Sequence, residues 1–374
     1  MLAIVLVALM LLLAFIEHYV YEEHSGGQIE VSLSFDPDRV ARGETTDLLV
    51  RVEHVGRLPI PWVTVYLQLP RGLACPAAEG QFLMGRMAVP YRGGIVRHYP
   101  MTPVHRGLYR VEQLRVEFSD PLGLVVRRLD VRTRAELLAH PLPSAASLAP
   151  PMRALMGSIE RPALLEDPTA TRGVRPYRPD DPLRRVHWPQ TARTGDLMAR
   201  EYATAVDAQL YLVSNLATHS PHWSNVDHER LEAVVEVAAG LAIDACRMAL
   251  PVGLLVNGVA FEATPVTRIR PGASPRHLAH FMDVLARLSA YPAESAESLL
   301  RAAASLPPEA SLAVISAAMP DSWRQALPAL ARRREVVLFL LATPDEAPVV
   351  PRDVRTVRLA LAATAPSGAE EAMS

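Results

Sequence analysis

Residues 231–258 read LEAVVEVAAGLAIDACRMALPVGLLVNG. The first twenty are Ala-rich, broken only by Gly240, and predict a helix. VGLLVNG, beginning at Val252, then predicts a short buried strand. The same alternation continues outward in both directions. Residues 210–213 form an apolar run of strand length, and residues 277–288 carry a helical pattern. Residues 311–316 predict a strand, 321–333 a helix, 335–341 a strand and 354–361 a last strand. Strands alternating with helices mean a doubly wound parallel sheet, placed at residues 207–362, with 363–374 as a disordered tail.

Further upstream the period changes to two. Ile29, Val31, Leu33 and Phe35 alternate with Glu30, Ser32 and Ser34. Val50 and Val52 alternate with Arg51 and Glu53. Val63, Val65, Leu67 and Leu69 enclose Thr64, Tyr66 and Gln68, and Leu114, Val116 and Phe118 repeat the pattern. Turn signals at DPDR (36–39) and RGE (42–44) separate such runs. An antiparallel β-sandwich of immunoglobulin type is predicted over 21–140. LPIPW at 58–62 is too rich in proline for a central strand and reads as a loop or edge. This region carries no catalytic constellation, so a spacer or binding role is its default.

Residues 1–16 contain no charged side chain. As a helix they span about 24 Å, and extension to Val20 reaches the roughly 30 Å hydrocarbon core. Glu17, His18, Tyr19 and Tyr21 then fall at the headgroups. No basic residue precedes the run and no small-residue cleavage site follows it. A single-pass membrane anchor at residues 1–20, in contact with membrane lipid, is therefore the expectation, in preference to a cleaved signal peptide. The nearest Arg is Arg39, so charge does not orient it.

Composition excludes several chemistries. Half of the 374 residues are apolar, which rules out global disorder. All 38 basic residues are Arg. Without Lys there is no P-loop lysine and no Schiff base. A net charge of −2 argues against nucleic acid as a partner. Cys75 and Cys246 cannot form a disulfide framework or a four-cysteine zinc site, and Cys246 reads as a small buried hydrophobe.

Between the two regions, residues 141–206 read as a linker followed by a signature segment. PLPSAASLAPP (141–151) is linker-like. Residues 175–202 then read RPYRPDDPLRRVHWPQTARTGDLMAREY. Pro176, Pro179, Pro182 and Pro189 forbid a long helix. The charges either face solvent or hold an ordered loop by Arg–carboxylate pairs with Trp188 as an apolar pin; the density of Trp and Tyr favours the loop.

This segment resembles the signature of the bacterial domain-of-unknown-function 58 family. Arg175, Tyr177, Asp181, Arg184, Trp188, Thr191, Ala192 and Arg193 fit that signature, with Asp180 at a usual Gly and Val186 at a usual Ile. RGLYRVEQLRVEFSDPLGL (106–124) is similar to a second segment of the family. The resemblance implies membrane helices, a β-rich region and a von Willebrand factor A-like α/β region. Many members have two membrane helices, against one expected here. The expected fold is therefore multidomain: a membrane helix, an immunoglobulin-like sandwich, then a doubly wound von Willebrand factor A-like domain. Genes of the family commonly neighbour a MoxR-type AAA+ ATPase and a transglutaminase-like membrane protein, which implies those two as partners, the ATPase first and on the cytoplasmic side.

A functional von Willebrand A domain binds Mg²⁺ through Asp-x-Ser-x-Ser, because that hard cation takes oxygen ligands. Here the matching positions run from Asn215 through Ala217 and Thr218 to His219, and a later Asp is missing unless Asp321 substitutes. The site reads as degenerate, with Asn215 and Thr218 the residual ligands of a metal-dependent adhesion alternative. His219, His222 and His228 are spaced for a transition metal but read as polar surface, as do His277 and His280. A hydrolase or transferase alternative requires Asp181, His187 and Arg193 in one pocket. No GxSxG, HExxH or GxGxxG in strand–helix context is present. The leading expectation is a non-enzymatic scaffold without cofactor. Its signature residues are Arg175, Tyr177, Asp181, Arg184, Arg185, His187, Trp188, Thr191 and Arg193, serving as docking surface or structural core.

Overall fold

A computed structural model describes residues 2–24, 29–121, 123, 126–144, 166–178, 181, 183–204, 209–219, 225–260, 268–343, 346 and 348–361. The chain divides into two compact units, Met1–Leu142 and Pro143–Ser374.

The first unit opens with helix α1 (Leu2–His24). Ten strands follow: β1 (Ile29–Asp36), β2 (Arg39–Ala41), β3 (Thr46–His54), β4 (Val63–Gln68), β5 (Leu73–Ala74), β6 (Ala78–Glu79), β7 (Phe82–Met87), β8 (Gly94–Pro103), β9 (Gly107–Ser119) and β10 (Val126–His140). They form two sheets, ordered β1-β3-β8-β5 and β2-β10-β9-β4-β7-β6. The period-two residues make the core: Leu48, Val50 and Val52 of β3 pack with Val63, Val65 and Leu67 of β4 and with Leu114, Val116 and Phe118 of β9. Residues 58–62 stay outside the strands, as their prolines require.

In the second unit β11 (Glu166–Pro176) and β12 (Met198–Thr204) pair antiparallel around helix α2 (Trp188–Thr194). Then come β13 (Leu210–Asn215), α3 (His228–Arg247), β14 (Val252–Val256), β15 (Gly258–Ala260) and β16 (Arg268–Gly272). They are followed by α4 (Pro275–Arg287), β17 (Leu288–Pro292), α5 (Ala296–Ala304), β18 (Ser311–Ser316), α6 (Trp323–Ala331), β19 (Val336–Ala342) and β20 (Arg355–Ala360). The main sheet is ordered β16-β14-β13-β18-β19-β20. All its pairings are parallel except that of β16 with β14. Both faces of β13 are buried, so its side chains divide between layers: Leu210 and Leu212 pack with Val234, Leu241, Phe281 and Leu285 of α3 and α4. Tyr211 and Val213 pack with Leu299, Trp323 and Leu327 of α5 and α6. Side-chain caps start α3 at Asp227, α4 at Ser274 and α5 at Ser295. α3 runs through Gly240 because its buried face outweighs the roughly 1 kcal/mol that Gly costs relative to Ala.

Two expectations are corrected. Among the described residues no helix is long and apolar enough to cross a membrane. The uncharged part of α1 ends at Ile16, and Glu17, Glu22 and Glu23 lie within the same helix. An uncharged run of that length reaches only about 22 Å, against the roughly 30 Å needed. The single-pass anchor, its lipid contact and the cell-membrane localisation are withdrawn with it. The fold class is also revised. Among the described residues strand accounts for 43 % and helix for 26 %, and sheet dominates the first unit. No von Willebrand factor A-like domain is shown. The second unit combines its six-stranded sheet with two small ones, β11-β12 and β15-β17. The position that would supply that domain's metal-binding carboxylate holds Asn215, with its polar atoms consumed internally. The expected tail, 363–374, lies outside the described residues.

Candidate functional site

β11 and β12 frame the Arg/Trp segment. Arg175 pairs with Ala199 and Pro176 with Met198, and the Tyr177 amide donates to the Leu197 carbonyl at 2.8 Å. The chain between them cannot continue as strand or long helix through its prolines, and folds around one carboxylate instead. Arg175 grips Asp181 with both terminal nitrogens, at 2.7 and 2.6 Å. The Arg178 amide adds a third bond at 2.9 Å, and Arg185 stands 3.8 Å away. Tyr177 donates its hydroxyl to the Asp181 carbonyl at 2.8 Å. The bond from Arg175, followed by the Arg178 amide, holds the Asp181 carboxyl down to about 2.

Beyond a 3₁₀ turn (Leu183–Arg185), Val186 bridges Ala199, and both are buried. The His187 amide donates to Met198 at 2.7 Å. His187 Nδ1 accepts from the Gln190 amide and so caps α2, with Pro189 in its first turn. Thr191 accepts the Met198 amide through its hydroxyl at 3.0 Å, and Gly195 ends the helix at φ +80°.

These bonds separate the signature by direction. Arg175, Tyr177 and Asp181 bind the loop to itself at the end of β11, His187 caps α2, and Thr191 ties it to Met198 of β12, with Arg185 half-buried beside Asp181. Arg184, Trp188 and Arg193 face solvent. Trp188 is 65 % exposed and its neighbour Leu183 71 %. The Arg–carboxylate loop is present, but Trp188 does not pin it. Val186 occupies the buried position instead. Asp180 lies outside the described residues. Asp181, His187 and Arg193 are not gathered in one pocket, since the first two are spent on the loop's own bonds and the third is exposed.

Lowering the pH tests the clamp. A depressed carboxyl pKa stabilises the fold above the unfolded value near 4 and is lost as pH falls toward 2. Asp181→Asn is expected to lose stability at neutral pH, and to lack the wild type's further loss between those values. Denaturant titrations at graded pH measure this; parallel pH profiles for both proteins contradict the clamp.

A second polar cluster occupies the carboxyl ends of β13, β14 and β18. Asn215 donates to Ser316 Oγ at 3.0 Å and to the Ala217 carbonyl at 3.2 Å. Its Oδ1 accepts from Asn257 at 2.8 Å and from the Ala217 amide at 3.1 Å. Asn257 Oδ1 accepts the Leu216 amide at 2.7 Å, and Ser316 donates to the Ala318 carbonyl at 2.6 Å. Thr218 accepts the Asp227 amide at 2.9 Å. Asn215 thus has both donors and its acceptor engaged, and serves as a cross-strand fastener. Asp321 is exposed and paired with Arg324, away from this cluster.

Among the described residues no His, Cys, Asp and Glu side chains group as a metal site. His219 bonds Thr218, the His228 ring lies edge-on to Tyr291, and His222 lies outside the described residues. His277 bonds the Val252 carbonyl, and His280 is exposed. Burial pushes the Cys246 thiol up, in line with a structural hydrophobe. Sequence reasoning missed Asn257 and Ser316; Asn-Gly directly after an apolar run was a signal for Asn257.

The family model described as "Protein of unknown function DUF58" matches residues 173–360, half of the chain. The chain belongs to the DUF58 family. The matched residues begin just before Arg175 and run through the six-stranded sheet. "Uncharacterized protein YeaD" of Bacillus subtilis (strain 168) is 21 % identical to this DUF58 chain over 260 residues, 69 % of the chain. That match spans 62 % of the relative's own length. Solved structures similar to part of the chain include a non-cellulosomal cohesin from Archaeoglobus fulgidus. It is 12 % identical with a TM-score of 0.23, over 30 % of this chain and 91 % of that one. The collagen-binding subdomain of the Enterococcus faecalis surface protein ACE is 5 % identical with a TM-score of 0.22, over 28 % and 95 %.

Proposed function

We propose that this DUF58 protein is a non-enzymatic scaffold that binds another protein through the outward residues of its signature, Arg184, Trp188 and Arg193. The exposure of Trp188 carries this reading. A large indole in water gains from being covered, and Trp and Arg dominate the energetics of interfaces. The inward residues support it in a second way, because a surface held by a bidentate clamp and a capped helix loses little entropy on binding. A MoxR-type AAA+ ATPase is the partner class the family resemblance implies.

The test uses the full chain and a purified ATPase of that type. Trp188→Ala is expected to change unfolding free energy by no more than about 0.5 kcal/mol, as for an exposed side chain. The same change is expected to weaken the complex by about 2 kcal/mol, roughly thirtyfold. Arg193→Ala follows with a smaller loss. Undiminished binding by both variants refutes docking at the signature, and no complex with wild type refutes the ATPase as partner.

A further inference from the structure

A groove of about 530 Å³ lies between α5 and α6. The two helices run side by side with their N-termini together, tied where Ser322 donates to Glu297 at 2.7 Å and where Trp323 Nε1 donates to the Ala296 carbonyl at 3.0 Å. Leu300, Trp323 and Leu330 form its buried apolar floor. Ala304, Ala326 and Ala329 line it and are exposed. Within each helix these residues recur three or four apart, so both helices turn a continuous stripe toward the groove.

Charge is distributed unevenly along it. Glu297 sits at the N-terminal end. Arg301, Arg332 and Arg333 line the rest and are exposed, with no carboxylate partner among the described residues. Arg334, beside them, is spent on the carbonyls of Leu306 and Pro307 at 3.0 Å, and Glu309 is the acid that acts on it. Arg334 thus serves the carbonyls that follow α5, while Arg301, Arg332 and Arg333 leave three exposed positive charges along the groove.

We propose that this groove receives an acidic amphipathic helix of a partner protein. The small side chains on its walls let a third helix approach closely, and the floor accepts a stripe of Leu-sized residues at helical spacing. The three Arg face the acidic flank of that helix and favour it over a basic or neutral one. Each groove helix is nine residues, roughly 13 Å, so about two and a half turns of the partner are covered. None of these residues belongs to the signature, so the groove stands apart from docking at Trp188.

The test measures binding of a labelled peptide of about four helical turns to the full chain by fluorescence anisotropy. The peptide carries Leu on one face and Glu elsewhere; its controls are a scrambled version and one with Lys for Glu. The Leu/Glu peptide is expected to bind, to weaken with salt, and to lose about tenfold or more in affinity on the double change Arg332→Glu with Arg333→Glu. Ala329→Phe, at an exposed position, is expected to do the same by filling the groove, while thermal melts of all variants match the wild type. Trp188→Ala is expected to bind the peptide normally. No binding at about 1 mM overturns the proposal. So does equal binding of the scrambled or Lys peptide, undiminished binding by the groove variants, or loss of binding in Trp188→Ala.

Discussion

Trp323→Ala lowers the stability of the second unit by about 3–5 kcal/mol, the range for deleting a fully buried large aromatic. Trp323 has no exposed surface and packs among Leu299, Leu327 and Leu338. Its indole N–H is matched to the Ala296 carbonyl, so truncation also strips that carbonyl of its donor. The loss spreads because the same side chain joins α5 to α6 over the sheet. Equilibrium denaturation of the full chain measures it, and a change below about 1 kcal/mol contradicts the packing described. The contrast with Trp188→Ala is the informative comparison: two tryptophans in one unit, one costly to remove and one nearly free.

Asn215→Asp is the second large effect, at about 3–5 kcal/mol, the cost of a buried charge without a partner. The change converts a donor into an acceptor. The carboxylate then faces the Ala217 carbonyl and loses its donation to Ser316. Asn257 still donates to the other oxygen, which offsets only part of the cost. Burial raises the new carboxyl's pKa in the folded state, so the deficit shrinks as pH falls toward the unfolded value near 4. Mg²⁺ is expected to leave wild-type stability unchanged. Stabilisation of the wild type by Mg²⁺ contradicts the reading of Asn215 as a fastener and restores the metal-dependent alternative.

Strands at residues 210–215 and 311–316 were legible because both faces are buried and the sequence is apolar at consecutive positions. The sandwich strands were legible because only one face is buried and residues alternate. Other elements were hidden for identifiable reasons. β16 reads RIRPG, with two Arg and a Pro, and pairs at an edge where such residues are tolerated. α5 is nine residues of AESLLRAAA, short enough to pass as linker, although Ser295 and Glu297 mark its start. β11 carries Pro168 and Gly173 and pairs with β12 through register shifts, so it shows no regular alternation. In the signature, a loop held by Arg–carboxylate pairs was legible from composition, although not which Arg and which acid would pair. The direction of Trp188 was not, since exposure is decided by Val186 taking the buried place two residues earlier. The apolar run at the N-terminus misled in the opposite sense: it is hydrophobic enough, but charge enters before the length suffices.

β20 ends the main sheet, with no strand hydrogen-bonded beyond it among the described residues. A parallel sheet of buried apolar strands is an open template at such a border, ready to accept an extended segment from another molecule. Here the border strand reads RTVRLA, and Arg355 and Arg358 are exposed along it. A strand approaching this border meets exposed guanidinium side chains, which disfavours pairing of the sheet with another molecule's backbone.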